Sequence, residues 1–416
     1  MKLAIALVFA ASAGAQQAAP QYDLLLKGGH VIDPKNNINA PMDVAIAGGK
    51  IARVAAGIPA AQAKTVADVT GLYVTPGLID LHVHVYPRPG LPGLERDSSV
   101  QPDAFSFRSG VTTMVDAGTT GVKTFPAFRE QVIQRARTRI LAFLNIVAAG
   151  MGTGQEDDPG QLDADAAARM AMANKGVIVG FKSAHYGGPG WESVEKAVAA
   201  GKIASLPVMI DFGYLNKVRN LPTLLLDKLR SGDIYTHCYS GHREEVLADG
   251  KVNPAIAAAR KRGIIFDVGH GAGSFYWYVA EAAYKQGFTP DSISTDLHSG
   301  SMNAGMKDMA NVMSKILNLG SPIDQVIRMS TWNPAREIHR EDLGHLSVGA
   351  EADVAVLRVD RGKFGFIDSA GAGWSGTRNI VCELTLRQGK PVWDLNARAA
   401  RDWKSFPYER KAWTKQ

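Results

Sequence analysis

The stretch Pro76-Gly77-Leu78-Ile79-Asp80-Leu81-His82-Val83-His84 decides how the rest of the chain is read. It is a short apolar run that closes on two histidines, and its form predicts a buried strand. In an extended strand, residues two apart point to the same side. His82 and His84 therefore project together, while Val83 packs the other way. Two imidazoles on one face, at the end of an apolar strand, are placed to chelate a metal. Two ordinary histidines in a half-buried strand would look the same, so the reading rests on what the other strands carry.

Downstream, short apolar strands alternate with helical stretches. Strands are predicted over 111–116, 140–147, 176–182, 207–211, 233–237, 264–270 and 292–296. Helices fit at 126–137, 164–174, 194–203, 222–230 and 254–262. With the His82 strand, this alternation over residues 76–344 is the pattern of a (β/α)8 TIM-type barrel. Upstream, residues 22–75 read as strands and turns, with a hairpin across Gly48-Gly49 and a further strand from Thr65 to Val74. Residues 345–398 return to β character. The two ends are expected to form one composite β-sandwich domain, followed by a C-terminal extension at 399–416.

Composition limits the function classes. The 416 residues are 46% hydrophobic and 21% charged, as expected of a globular chain with one large domain and a smaller one. The net charge is +6. Basic residues are scattered apart from Arg398, Arg401, Lys404, Arg410, Lys411 and Lys415. No basic stripe interleaves with aromatics, which argues against a nucleic-acid partner. Residues 1–15 have the form of a secretory signal peptide: Lys2, an apolar run from Leu3 to Ala10, then Ser12-Ala13-Gly14-Ala15. Cleavage after Ala15 and export, to a bacterial periplasm, are expected. That run is too short to span a bilayer, and no membrane partner is expected. Cys238 and Cys382 lie far apart in predicted strands, and nothing supports a disulfide between them.

A barrel of this type builds its active site from the C-terminal ends of its strands. The polar residues that close the predicted strands are His82, His84, Lys182, Asp211, His237, His270 and Asp296. Each stands where a packing residue is the default. Their convergence on one barrel mouth points to a metal-dependent chemistry.

These motifs resemble the amidohydrolase superfamily. Pro76 to His84 looks like its opening signature. Gly180-Phe181-Lys182, Thr236-His237-Cys238, Asp267-Val268-Gly269-His270-Gly271 and Ser294-Thr295-Asp296-Leu297-His298 resemble its dihydroorotase-like amidohydrolase/deacetylase branch. The resemblance spans nearly all of the chain after the leader. It implies one or two Zn²⁺ ions (Mn²⁺ being the alternative), with His82, His84 and Asp296 on the first metal and His237 on the second. Lys182, carbamylated by CO₂, would bridge them. Asp296 would act as general base and then acid, and His270 would bind substrate or polarise its carbonyl. One position departs from the pattern: Asp211 stands where relatives place a histidine ligand. Carboxylate is a competent ligand, so Asp211 is taken as one, with a single-metal centre as the alternative. His185, Tyr186 and His298 are candidates for substrate contact, and His242, Arg243 and Trp277 for the rim of the mouth. Asn333 is expected to cap a helix opened by Pro334.

The activity implied is hydrolysis of a C–N amide bond, as a deacetylase of a small N-acyl or O-acyl compound. A cyclic-amide hydrolase of the dihydroorotase or hydantoinase kind is the alternative enzyme. A metal-free barrel acting as a binding module is the alternative of another class. Homo-oligomerisation is left open.

Overall fold

The structure, a computed structural model, describes residues 20–87, 98–211, 213, 215–216 and 218–409. The leader at 1–15 and the basic residues Arg410, Lys411 and Lys415 lie outside the described residues.

The chain opens with β1 (Tyr22–Asp33), β2 (Ile38–Ala47), β3 (Lys50–Ala55), β4 (Ala63–Asp68) and β5 (Tyr73–Pro76). The expected hairpin joins β2 to β3. Gly48 and Gly49 take φ of 57° and 76°, the left-handed pair that a tight primed turn requires. The single strand expected from Thr65 to Val74 is divided in two, because the chain turns between β4 and β5 through Gly71 at φ 77°.

From Leu78 the pattern becomes parallel: β6 (Leu78–Val83), β7 (Val111–Ala117), β8 (Arg139–Asn145), β9 (Ile178–Ala184), β10 (Val208–Asp211), β11 (Ile234–Tyr235) and β12 (Ile265–Phe266). Each pairs with the next in sequence order. The segment expected to form an eighth strand is not continuous strand. It makes single parallel bridges to both edges of the sheet, Asp267 to Ser292 and Val83 to Leu297. Residues of every strand meet in one core: Ile79, Leu81, Val115, Leu141, Phe143, Val179, Met209 and Ile234, with Ile265 packed against them. A flat sheet could not bring its two edges into one cluster, so the sheet is curled. A second, larger core lies between this sheet and its helices.

The chain ends with β13 (Val354–Ile367), β14 (Gly373–Arg387) and β15 (Lys390–Asp394). β13 pairs with β5, so both chain ends share one mixed sheet in the order β15-β14-β13-β5-β1-β2-β3, with β4 on β1. Hydrogen bonding thus joins both chain ends in one sheet, and Leu26, Val44, Ile51, Val74, Val354 and Leu384, spread across it, share one buried core. β5 runs into β6 through Gly77, where a Cβ would lie 2.2 Å from Thr112 Oγ1. No side chain fits at this junction.

Helices Ala164–Ala173, Glu192–Ala204 and Pro254–Lys261 fall where the sequence predicts them. Asp163 and Asn253 cap two of them through their side-chain oxygens. The stretches expected at 126–137 and 222–230 are a turn of α-helix that widens into π-helix, at Arg129–Ile133 and Leu224–Lys228. Asn333 is not a cap. It lies inside helix Trp332–Glu337 and donates to Asp291 O at 2.8 Å. Among the described residues, no helix is long and apolar enough to cross a membrane. Cys238 and Cys382 are both buried free thiols.

Phe143 is fully buried at the centre of the curled sheet, and Gly180 makes room for it, since a Cβ there would lie 2.5 Å from the Phe143 ring. Phe143→Ala is expected to destabilise the fold by about 3–5 kcal/mol. Gly180→Ala is expected to destabilise it through overpacking, by about 1–3 kcal/mol. Urea denaturation of both variants checks these values.

Candidate metal centre

The ends of β6, β9, β10 and β11 deliver His82, Lys182, Asp211 and His237 to one place, and the segment after Ser292 delivers Asp296. His84 lies just past β6. The Asp296 carboxylate Oδ1 lies 3.0 Å from His84 Nε2 and 3.6 Å from His82 Nε2. One donor atom of each residue lies within 4.8 Å of the others. Lys182 Nζ is 3.2 Å from His82 Nε2. His237 Nε2 is 3.2 Å from Asp211 Oδ2, and the His82 and His237 rings lie 5.0 Å apart. The site is one cluster, with His82 between its two halves.

The outer atoms of these candidate ligands are fixed by the protein. His237 Nδ1 lies 2.5 Å from the Gly269 carbonyl. A carbonyl only accepts, so Nδ1 carries a proton and Nε2 is the atom that faces Asp211 Oδ2. His82 Nδ1 contacts Thr236 Oγ1 at 3.1 Å. That hydroxyl donates its own proton to Asp267 Oδ2 at 2.7 Å, so it accepts from Nδ1–H. His84 Nδ1 contacts Thr119 Oγ1 at 2.8 Å, and the Thr119 backbone N–H donates to Oδ1 of the buried Asp116 at 2.9 Å. Each imidazole therefore turns its Nε2 toward the cluster, the atom a metal would take. Asp267 is held in turn by Ser292 and Ser294. Thr119, Thr236, Asp116 and Asp267 support the cluster through hydrogen bonds, and the strand-end reading did not assign them. They lie one residue beside a ligand or on a neighbouring strand, where local sequence gives no signal.

Charge and burial fit the same purpose. Burial pulls the His82 imidazole well below its ordinary pKa, and the neighbouring Lys182 adds to this. Burial likewise lowers the Lys182 amine, against the pull of Asp211 and Asp296. Burial alone would raise Asp296, but His82 and His84 hold its carboxyl far below the usual range. Asp211 is also held well below that range against its burial, chiefly by Arg243 and then His237. His237 and Asp296 take φ of 63° and 51°. These are costly conformations for residues other than glycine, and they concentrate at functional sites. Neighbouring glycines allow the close packing: a Cβ on Gly118 would meet Lys182 Cβ at 2.6 Å, and one on Gly271 would meet Asp296 Oδ2 at 2.4 Å.

His270 does not take the substrate role expected of it. It is fully buried, and its ring stacks on Phe275 with centroids 4.6 Å apart. Its Nδ1 lies 2.9 Å from Gly271 O, and its Nε2 receives Lys315 Nζ at 2.7 Å. Both nitrogens are thus committed to protein. Lys315 also donates to Gly305 O and Ile367 O, so His270 is part of a clasp between the strand-end loop and β13.

A cleft of about 580 Å³ opens beside the cluster, walled by His185, Tyr186, Asp211, Arg219, His242 and Arg243. His185 is exposed at its edge, 3.8 Å from Asp211 Oδ2. Tyr186 contributes to the wall, but its hydroxyl donates to Glu192. His298 is half-buried beside His84, with ring centroids 6.2 Å apart, and its Nδ1 accepts from Gly300 N. Trp277 is buried away from the cleft and donates to Ala372 O.

The chain is similar to known proteins of one superfamily. Residues 277–385 match the model of the amidohydrolase family. A deacetylase of Agrobacterium fabrum is 35% identical over 76% of this chain and 78% of its own. A deacetylase of Brucella anthropi is 33% identical over 83% of this chain and 81% of its own. Among solved structures, an adenine deaminase superposes with a TM-score of 0.81 at 29% identity, covering 90% of this chain and all (100%) of the other. A dihydroorotase superposes with a TM-score of 0.77 at 30% identity, covering 89% and 99%.

The hydroxyl of Thr236 fixes the His82 tautomer. Thr236→Val is expected to weaken metal binding by about 10–100-fold, the usual cost of removing such an outer partner. Chelator competition measures it, and unchanged affinity would remove the tautomer argument for His82.

Proposed function

The chain belongs to the amidohydrolase superfamily, and from that premise we propose that it is a metal-dependent deacetylase of a small N-acyl compound. The observation that carries this reading is the convergence of imidazole Nε2 atoms, the Asp296 carboxylate and Lys182 beside an open cleft. His nitrogen and carboxylate oxygen form a donor set suited to Zn²⁺. His82, His84 and Asp296 would hold one ion, and His237 and Asp211 a second. Lys182 would join them as a carbamate: its neutral amine adds CO₂, loses a proton and becomes an anionic oxygen donor. Bound divalent ions would supply a low-pKa water and polarise the acyl carbonyl.

The chain's own residues do the rest. Asp296 sits among the ligands as an ionised carboxylate, so it can take a proton from the attacking water and return it to the leaving nitrogen. The cleft beside Asp211 and Arg243 takes the part of the substrate beyond the acyl group. The deacetylases that match most of the chain support this choice of reaction. The bridges from residues 292–297 to both sheet edges support a closed eight-stranded barrel. Such closure would hold Asp296 against the ligands of β6.

Removal of metal with a chelator is expected to abolish hydrolysis of N-acetyl amino acids, and Zn²⁺ to restore it. Asp296→Asn is expected to lower kcat by about 10²–10⁴-fold or more, because the residue is both proton carrier and ligand. A screen of N-acetyl and O-acetyl compounds against dihydroorotate and hydantoins checks the substrate class. Turnover of the cyclic amides alone would replace the deacetylase reading, and metal binding with no turnover of any of them would favour a binding module.

A further inference from the structure

We infer that Asp211 and Arg243 act together as one neutral metal ligand, with Arg243 as the positioning residue that makes the Asp211 carboxylate equivalent to an imidazole. The inference rests on the two-metal reading proposed above.

Each histidine of the centre follows one rule: its inner atom faces the cluster, and its outer atom is held by a fixed partner. Asp211 follows the same rule with different chemistry. Its Oδ2 faces His237 Nε2 at 3.2 Å, close to the spacing of two donors about 2.0–2.2 Å from one tetrahedral ion. Its Oδ1 is taken by Arg243 Nη2. The guanidinium stands where Thr236, Thr119 and the Gly269 carbonyl stand for the histidines. It leaves Oδ2 as the inward donor.

Arg243 is itself fixed. It is almost wholly buried. Its Nε donates to Gly213 O at 3.1 Å and its Nη1 reaches Ser240 Oγ at 3.4 Å. Its backbone N–H donates to Glu245 Oε2 at 3.2 Å. Glu245 also receives Tyr235 Oη and Ser240 Oγ, which ties the loop after β11 to the barrel. A buried guanidinium needs a fixed anion, and a buried carboxylate needs a fixed cation. The pair meets both needs and sums to the charge of a neutral imidazole. A lone carboxylate at this position would make the centre more anionic by one charge. With Arg243 in place it does not.

The test counts metal, so it does not depend on turnover. The full-length protein, Arg243→Met, Asp211→His and the double variant Asp211→His/Arg243→Met are each loaded with Zn²⁺. Bound zinc is then measured by elemental mass spectrometry and chelator competition. The wild type is expected to hold two ions. Arg243→Met should keep the first and bind the second about 10–100-fold more weakly. Asp211→His should also lose the second, because it leaves the guanidinium unpaired beside it. The double variant should regain two, since an imidazole needs no counter-charge. A second ion held equally well by wild type and Arg243→Met would overturn the inference. So would a wild type with one ion, which leaves a single-metal hydrolase standing. A wild type with none would defeat the metal-dependent reading as well. Should Arg243→Met fail to fold, the double variant decides: two ions support the pairing, and one overturns it.

Discussion

The site depends on where the outer atoms of its ligands are tied. A histidine ligates only as a neutral ring with the correct nitrogen bare. Here the inward nitrogen is chosen by partners on the far side: a carbonyl for His237 and threonine hydroxyls for His82 and His84. Thr236 can accept because the buried Asp267 receives its own proton, while Asp116 holds the Thr119 backbone. Asp267 thus sets the tautomer of a ring it does not touch. Burial raises both carboxyls above the usual range, against the hydrogen bonds they receive. The cost of burying them is offset by those donors, so the chain holds them in place for the sake of the ring orientation.

The same constraint explains the local backbone. His237 and Asp296 adopt left-handed φ, and Gly118, Gly269 and Gly271 lie where a Cβ would strike Lys182, His237 and Asp296. Strain of this kind persists only where the surroundings over-determine it. The curled sheet provides that. Its strand ends are short, its interior is a packed core, and residues 292–297 are bonded to both edges. The mixed sheet made from both chain ends is braced against this unit through β5, and through the Lys315 clasp at the end of β13.

Much of this was legible in the sequence because strand-end chemistry is local. A polar residue that closes an apolar run marks itself, and the fold brings His82, His84, Lys182, Asp211, His237 and Asp296, each marked that way, into one cluster. His270 shows where the rule stops. It closes a strand like the others, but a lysine forty-five positions away captures its Nε2. Nothing within the strand reports that distant amine. The same holds for Asn333, which has the residues of a cap but sits inside the first turn, past the N-cap Thr331. The threonine and aspartate supports escaped for a related reason: each acts across strands, on a ring supplied by another part of the chain.

Asp211 joins these themes. Read alone, it is a departure that threatens the second metal, because a charged oxygen donor replaces a neutral nitrogen one. Position by position, no sequence argument resolves this, since Arg243 lies on the loop after the next strand. In the fold the two side chains meet, with the guanidinium on Oδ1 and His237 facing Oδ2. What must be retained at a ligand position is an inward lone pair, a fixed outer atom and a net charge, and one residue need not supply all three. A substitution that looks disabling in one strand is then compensated by a cation from its neighbour. The unit that carries ligand chemistry here is the contact between strand ends, and the residue type at one end is only half of it.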